Sequence, residues 1–490
     1  MLSIDEIKAF ITADAGSALK KDAKVGQRYY EADHDIKNYR IFYFDAEGNV
    51  KEDKTKSNIK ISHPFFTENV DQSVQYLLSG KDAFVKSDDP DLQAQLDEYF
   101  NDNEDFVSEL YDVLTGCIAK GYEYAYAYKN HDDRTAFQCA DSLGVIEVDA
   151  RDADDGIDHI IYYYTDTIER NTKEITRIQV WDELQTYYYI MDAEKIVLDD
   201  TREINPRPHV VYEPDEKTGE TEIDGYGMIP FFRIDNCKKR KSGLEPIKAL
   251  IDDYDLMSCG LSNNIQDTNE ALYVVKGFSG DNLDELMTNI KSKKHIGVDE
   301  DGDVEIRTVD IPTEARKAKL ELDEKNIYRF GFALNTAGLK DTTATTNIAI
   351  KTAYSLLDLK ANKLEIRLKQ FMRKLLKIVL TEINEREGTH YQQKDVYFNF
   401  EREVPVNEQE NATIELTNAQ RKQAEINTIL ALADKLGDET TMQLVCEQLD
   451  IDYNEIKDKL PKEEADPYAP AQNALNNAQT VETVGGGVVE

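Results

Sequence analysis

Residues that usually carry chemistry are scarce here, and those present do not cluster. The five cysteines, Cys117, Cys139, Cys237, Cys259 and Cys446, form no C-x-x-C pair, and no histidine stands at metal-ligand spacing from any of them. Zinc fingers and dithiol redox motifs are therefore excluded, and an odd, scattered set reads as reduced, mostly buried thiols of a cytoplasmic setting. The seven histidines lie singly along the chain, and G-x-S-x-G, H-E-x-x-H and Walker A sequences are all missing. Nucleophilic, zinc-hydrolase and P-loop chemistry thus have no constellation to rest on. Gly80–Lys81 is not a phosphate loop, because Gln75 stands where its first glycine belongs and Asp82 follows the lysine. Long apolar runs are absent as well, none approaching the roughly 18 residues that a spanning helix needs. The first residues, MLSIDEIKAFITADA, form an amphipathic pattern without a basic leader, so neither export nor membrane insertion is expected.

Positive charge is in short supply: 58 Lys and Arg face 96 Asp and Glu, a formal charge of −38. Phosphate binding is driven by Lys and Arg, which argues against a domain that wraps nucleic acid and leaves room for a conduit along which DNA slides. Cations concentrate in two places. Lys238, Lys239, Arg240 and Lys241 are consecutive, and from Lys360 to Lys377 the chain carries Lys360, Lys363, Arg367, Lys369, Arg373, Lys374 and Lys377 against Glu365 alone. Nucleic-acid contact is one reading of these patches, and contact with the acidic surface of a neighbouring copy is the other. The abundant acids also leave open a two-metal nuclease site assembled from distant positions, although acids at this density mostly coat solvated faces.

At 490 residues the chain exceeds one core, so several substructures are expected, in an α+β arrangement. Helical periodicity covers segments near 3–22, 64–79, 90–101 and 103–120. From Tyr122 to about Tyr212 the period becomes two, with tyrosines and β-branched residues, which predicts one antiparallel sheet of about six strands. Interleaved acids make cross-strand packing a better account of the tyrosines than base stacking. From Ser242 to Gly277 a long helix, with Leu244, Ile247, Leu250, Ile251, Tyr254, Met257, Leu261 and Ile265 on one face and Asp252, Asp253 and Asp255 mostly off it, runs into a strand. Its bland reading is an amphipathic core helix. A helix and a hairpin follow, whose Asp299–Asp303 run fails as an EF-hand because Gly302 comes too early. Pro312 opens another helix as its first residue. After the threonine-rich Leu339–Asn347 comes the longest pattern, with Ala349, Ala353, Leu357, Leu364, Leu368, Phe371, Leu375, Val379 and Ile383 on one face and Gly388 as its stop. A strand over Lys394–Val406 and helices near 414–436, 439–449 and 453–460 complete the ordered part. The tail from Pro461 loses periodicity and reads as disordered.

The phrase GMIPFFRIDNCKKRKSGLEPIKALIDDYDLMSCGLSNNIQDTNEALYVVKG resembles the central signature of tailed-bacteriophage portal proteins, the head-to-tail connectors, in the branch typical of long-tailed phages of Gram-positive bacteria. The likeness rests on the order of elements from about 25 to 460. TTATTNIAIK stands where many relatives carry a Ser-Gly-containing motif. The resemblance implies a ring-forming subunit: a wing over 1–236 with helices and antiparallel sheet, a stem helix over 237–268, a small α/β clip over 269–311, and a second stem helix over 312–338. A tunnel loop over 339–347, a long wing helix and strand over 348–406, a helical crown over 407–460 and a disordered tail over 461–490 follow.

What it implies for function is a ring of about twelve subunits at one capsid vertex, a channel for DNA packaging and ejection. Its partners would be double-stranded DNA, held weakly and without sequence preference, the terminase large subunit, a head-completion adaptor, and the major capsid and scaffolding proteins. Neither a membrane, a cofactor, a metal nor catalysis is implied. The virion vertex, and the host cytoplasm during assembly, would be its locations. Lys340, Asp341, Thr342, Thr343, Thr345 and Thr346 would face the DNA in the tunnel loop. The alternatives are a metal-dependent nuclease of the packaging apparatus and a head-tail adaptor.

Overall fold

Apolar residues at three- and four-residue steps make Asn347–Glu387 a single helix of 41 residues, about 60 Å long at 1.5 Å per residue. The computed structural model describes residues 2–45, 47–54, 56–150, 156–168, 173–192, 195–211, 223–268, 272–276, 303–307, 312–336, 347–403, 408–449 and 453. Leu357, Leu364, Leu368, Phe371, Leu375, Val379 and Ile383 are buried as the stripe predicts, while Ala353 is half-buried. They pack on Phe66, Val70, Val74 and Leu77 of the helix Phe65–Leu77 and on Leu110, Val113, Leu114 and Ile118 of the helix Glu104–Lys120. At about 2 kcal/mol per buried side chain, this packing outweighs ion pairs on the outer face, worth about 0–1 kcal/mol each. Gly388, at φ 65°, ends the helix as expected, and the Asn384 side chain bonds the Tyr391 backbone beyond it.

The first expected helix is two. A Ser3/Glu6 capping box starts Ile4–Ala15, and Ser17 caps Ala18–Tyr30. Ile7 of the former sits against Ile146, Ile161, Ile178 and Tyr189 of the large sheet.

The single sheet expected from 122 to 212 is also two. Tyr122–Lys129 pairs with Thr135–Ala140 on one side and, on the other, with Phe231–Asp235, a strand the sequence reading missed. The remaining strands, Val145–Asp149, Ile157–Ile168, Lys173–Trp181, Gln185–Asp192 and Lys195–Leu198, form an antiparallel meander, with Arg207–Pro208 added to Gln185–Asp192. The break falls at Ser142–Gly144, a turn capped by Asp141. There the Gly144 backbone lies so close to the Tyr163 carbonyl that a Cβ would sit 2.1 Å from it. Tyrosines do pack across strands: Tyr126 stacks on Phe231 with ring centroids 5.3 Å apart, and Trp181 meets Phe231 at 5.0 Å.

The helix expected from Ser242 begins at Lys248 and runs to Thr268, after turns over residues 243–247. Thr313–Gly331 lies antiparallel to it: Gly331 adjoins Ile247, Lys319 pairs with Asp253, and Arg316 reaches Gly260. Pro312 is its cap rather than its first residue, and the helix stops at Gly331 because Phe332 turns left-handed. The amide of Gln72 then takes the Leu334 N–H and donates to the Leu334 carbonyl. Leu272–Lys276, the strand expected after the long helix, pairs antiparallel with Asp303–Arg307, the strand expected after the Asp-Gly turn, while the first strand expected for that hairpin lies outside the described residues. The helix expected between them lies outside the described residues, as does the tail from Pro461.

Asp255, expected off the apolar stripe, is wholly buried. It lies in register with Ile251 and Cys259, also buried, and accepts from His34 Nδ1 at 2.6 Å, His63 Nδ1 at 2.7 Å and the His63 N–H at 3.0 Å. An ionised carboxylate can only accept, so both imidazoles carry a proton on Nδ1. Burial pushes this carboxyl up, but the imidazole and amide donors outweigh it and hold it below the ordinary range. Residues 1–405 form one body and 406–490 a second, in which the helices Glu408–Ala431, Ala433–Leu436 and Asp438–Gln448 are described.

Asp255→Ala strands two histidine donors in the interior and is expected to lower stability by about 3 kcal/mol, whereas Asp253→Ala, half in solvent, costs under about 1 kcal/mol. Because the folded-state pKa of Asp255 is depressed, its contribution is present above the ordinary carboxylate value and is lost as pH falls through the lower one. Denaturation midpoints of wild type and Asp255→Ala should therefore converge as pH falls below the ordinary carboxylate value of 3.8; a gap that stays constant would contradict this assignment.

Candidate nucleic-acid and partner interfaces

Cations in an acidic chain are conspicuous only where acids do not answer them, so the environment of each predicted basic residue decides what it can do. Arg240, at φ 54°, lies over the Tyr122 ring at 5.8 Å and 3.6 Å from Glu147. Lys241 pairs with Asp22 at 2.8 Å. Lys238 and Lys239 are exposed. The helix begins only at Lys248, so this cluster precedes its positive end by more than a turn and does not oppose its dipole.

On the long helix the cations separate by face. Lys363, Arg367, Arg373, Lys374 and Lys377 fall within an arc of roughly 120° at about 100° per residue, opposite the buried stripe. Lys363, Arg373, Lys374 and Lys377 are exposed and Arg367 is half-buried. Lys369 leaves this arc to pair with Glu365 at 2.7 Å. Lys360 turns inward, donating to the Gly331 carbonyl at 3.2 Å, and burial lowers its pKa to about 8. The helix end at Gly331 thereby gains a donor for a carbonyl left without an intrahelical partner.

Arg373, Lys374 and Lys377 line a groove of about 320 Å³ whose floor is Met228, Ile229, Phe231 and Phe232. An apolar floor with three cations on its wall is suited to a segment carrying both carboxylates and apolar side chains. It is a poor match for DNA alone, whose backbone offers nothing to an apolar floor.

The predicted tunnel-loop residues Lys340, Asp341, Thr342, Thr343, Thr345 and Thr346 lie outside the described residues. Their flanks end at Thr336 and begin at Asn347.

Among the described residues no group of three His, Cys, Asp or Glu side chains is placed to hold a metal ion, and no helix is long and apolar enough to cross a membrane. A buried acid with a raised pKa is a common mark of acid-base chemistry. Glu123 qualifies on that ground, its carboxyl pushed up to about 7 by burial. Its oxygens, however, are engaged by Lys120 and the Ser142 N–H, and it is 1% exposed, so it serves as a structural member of the strand-helix junction.

Sequence reasoning missed two clusters. His34 and His63, single in the sequence, meet across Asp255. The available signal was the polar series Asp255, Cys259, Asn263 and Asp267 at four-residue steps. Arg402 gathers Asp358 at 2.7 Å, Asn362 at 2.7 Å and Glu365 onto the chain beyond the strand Val396–Phe398. It answers acids on the long helix that the basic reading counted as a minority.

The portal protein of Bacillus phage SPP1 is 28% identical over 352 residues, covering 71% of this chain and 67% of that protein. The portal protein of a Clostridium phage, phiCD119, is 23% identical over 394 residues, covering 77% of this chain and 82% of its own. The family model for phage portal proteins of the SPP1 Gp6-like kind matches residues 13–458. With nearly the whole length matched, an α+β body built on one long helix, and two portal proteins among its relatives, the chain belongs to the SPP1 Gp6-like family of phage portal proteins.

Proposed function

We propose that this portal-family chain is one subunit of a closed ring of about twelve copies, set at one capsid vertex, through whose axis the genome is packaged and later ejected. The match over residues 13–458 carries this reading. Chemistry is left to partners: a terminase that hydrolyses ATP docks during packaging, and a head-completion adaptor and tail follow. Capsid and scaffolding proteins surround the ring. The antiparallel helices Lys248–Thr268 and Thr313–Gly331 act as the stem, the paired strands Leu272–Lys276 and Asp303–Arg307 belong to the clip, and residues 408–449 belong to the crown.

The cationic arc on the long helix suits contact between neighbours. A heterologous ring joins opposite sides of one chain, so a basic strip on one side of a chain with net charge −38 meets acid on the next copy. Native mass spectrometry of the purified chain should show annular oligomers of about a dozen copies, and a compact monomer at high concentration would contradict the ring. Arg373→Glu with Lys377→Glu, both exposed, should change monomer stability by less than about 0.5 kcal/mol per site while weakening assembly and flattening or reversing its loss with added salt.

In the channel, the hydroxyls of Thr342, Thr343, Thr345 and Thr346 would offer weak, exchangeable contacts to phosphate, with Lys340 and Asp341 setting the local field. Lys340→Glu replaces a positive by a negative charge in every subunit. It should leave ring assembly unchanged and reduce the yield of packaged DNA. Normal rings that package normally would show the loop to be an ordinary connection.

A further inference from the structure

Residues 39–63 leave the body, turn as a hairpin and return along the helix Lys248–Thr268. The returning segment is fastened in a regular way. Backbone N–H groups of Ser57, Ile59, Ile61 and His63 donate to Asp267 at 3.1 Å, Asn263 at 2.6 Å, Cys259 Sγ at 3.2 Å and Asp255 at 3.0 Å. Every second residue of the strap meets every fourth residue of the helix. Two residues of extended chain and four of helix advance by nearly the same amount, about 6.6 and 6.0 Å, so the two keep step over four contacts. Across the root, Asn58 donates to the Tyr39 carbonyl at 3.4 Å and Lys60 to the Lys37 carbonyl at 3.1 Å. The base of the hairpin is therefore fixed.

The hairpin itself is not packed. Phe42–Phe44 pairs with Val50–Glu52, with Phe44 opposite Val50 and Phe42 opposite Glu52. Asp45 shapes the turn by accepting the N–H groups of Glu47 and Asn49. Alternation places Phe42, Phe44 and Val50 on one face, and they are 59%, 75% and 60% exposed. A lone two-stranded hairpin is marginal in water unless an apolar face is covered, and three large apolar residues side by side on a tip are the mark of an interaction surface.

We propose that this hairpin is an inter-subunit arm whose apolar face is covered by a second copy of the chain. Charge selects that occupant: from Arg40 to Lys60 five cations stand against four carboxylates, in a chain whose net charge is −38. These cations stand mostly at the root, where exposed Arg40, Lys54 and Lys56 flank a tip with one cation and three carboxylates, so the root can answer an acidic neighbouring copy while the aromatic face needs apolar cover that a phosphate backbone does not supply. The strap fixes the root to the helix proposed as the stem, so an arm seated on a neighbour ties adjacent stems together. The proposal rests on the ring reading and adds to it the residues that reach across.

The test replaces Phe44 by the photo-reactive p-benzoylphenylalanine in the full-length chain and irradiates isolated rings, with the same residue at exposed Leu184 as control. Covalent ladders of subunits on denaturing gels from position 44, absent from position 184, are the expected result. In parallel, Phe42→Ser with Phe44→Ser should melt as wild type does yet need at least roughly tenfold more protein for half-assembly. Rings that yield only monomer bands from position 44, or unchanged assembly of the double variant, overturn the arm and leave the ring standing. A wild-type chain that forms no assembly at all brings down both.

Discussion

Removal from water of one side of Asn347–Glu387 is the constraint on which the rest of the molecule depends. The helix is too long to be held by propensity, and its stripe from Leu357 to Ile383 is wide enough to need three partners at once. The helices Phe65–Leu77 and Glu104–Lys120 and the strand Phe231–Asp235 supply them, and each then fixes something further. Phe65–Leu77 carries Gln72, which ends the neighbouring helix at Gly331. Glu104–Lys120 hands over through Gly121, at φ 97°, to Tyr122 and the first sheet. Phe231–Asp235 brings the chain back beside Tyr122–Lys129 after the meander, so the basic turn at Lys238–Lys241 starts from the core side of the molecule.

Polar interactions act differently, by setting alignment. Asp255 adds little beyond what a well-packed apolar residue would, since desolvating a carboxylate consumes most of what its donors return. What it fixes is register. One oxygen takes the His34 ring and the other takes the ring and amide of His63, so the chain before and after the hairpin is referred to one helical position. A one-turn slip of the helix would leave both imidazoles buried and unpaired. Arg402 does the same on the long helix, gathering two acids and an amide from three successive turns.

Elements with a strong, uninterrupted period were legible in the sequence: the long helix and its glycine stop, the helices between residues 64 and 120, and the alternating strands. Sheet membership was not, because alternation says that a strand has two faces and nothing about which strand lies beside it. Phe231–Asp235 joins Tyr122–Lys129 for a tertiary reason, the core beneath Phe232 and Ile234. Helix starts were misread where a turn mimics a helix: Leu244 and Ile247 are buried in register with the stripe, yet the regular helix begins at Lys248. The basic residues were visible as types and invisible as environments. Lys360 turned inward and Arg240 was answered by acid, and no spacing rule separates them from exposed Lys363 and Lys377. Asp255 was misjudged because a carboxylate was presumed to face water, although its four-residue series with Cys259, Asn263 and Asp267 was there to be read.

That series shows how one helix can serve two masters. The residues Ile247 and Ile251 bury toward the body, while the polar line from Asp255 to Asp267 offers an acceptor each turn to a passing backbone. A strap held by side chains alone needs no sheet, leaves the helix geometry untouched and can be laid along a helix that must also face other neighbours. An acidic chain gains from this in particular. Backbone N–H groups neutralise part of the negative charge on Asp255 and Asp267 without using a lysine. The scarce cations are then left for surfaces that meet another molecule, and the remaining acid keeps a polyanion moving past the chain from binding to it.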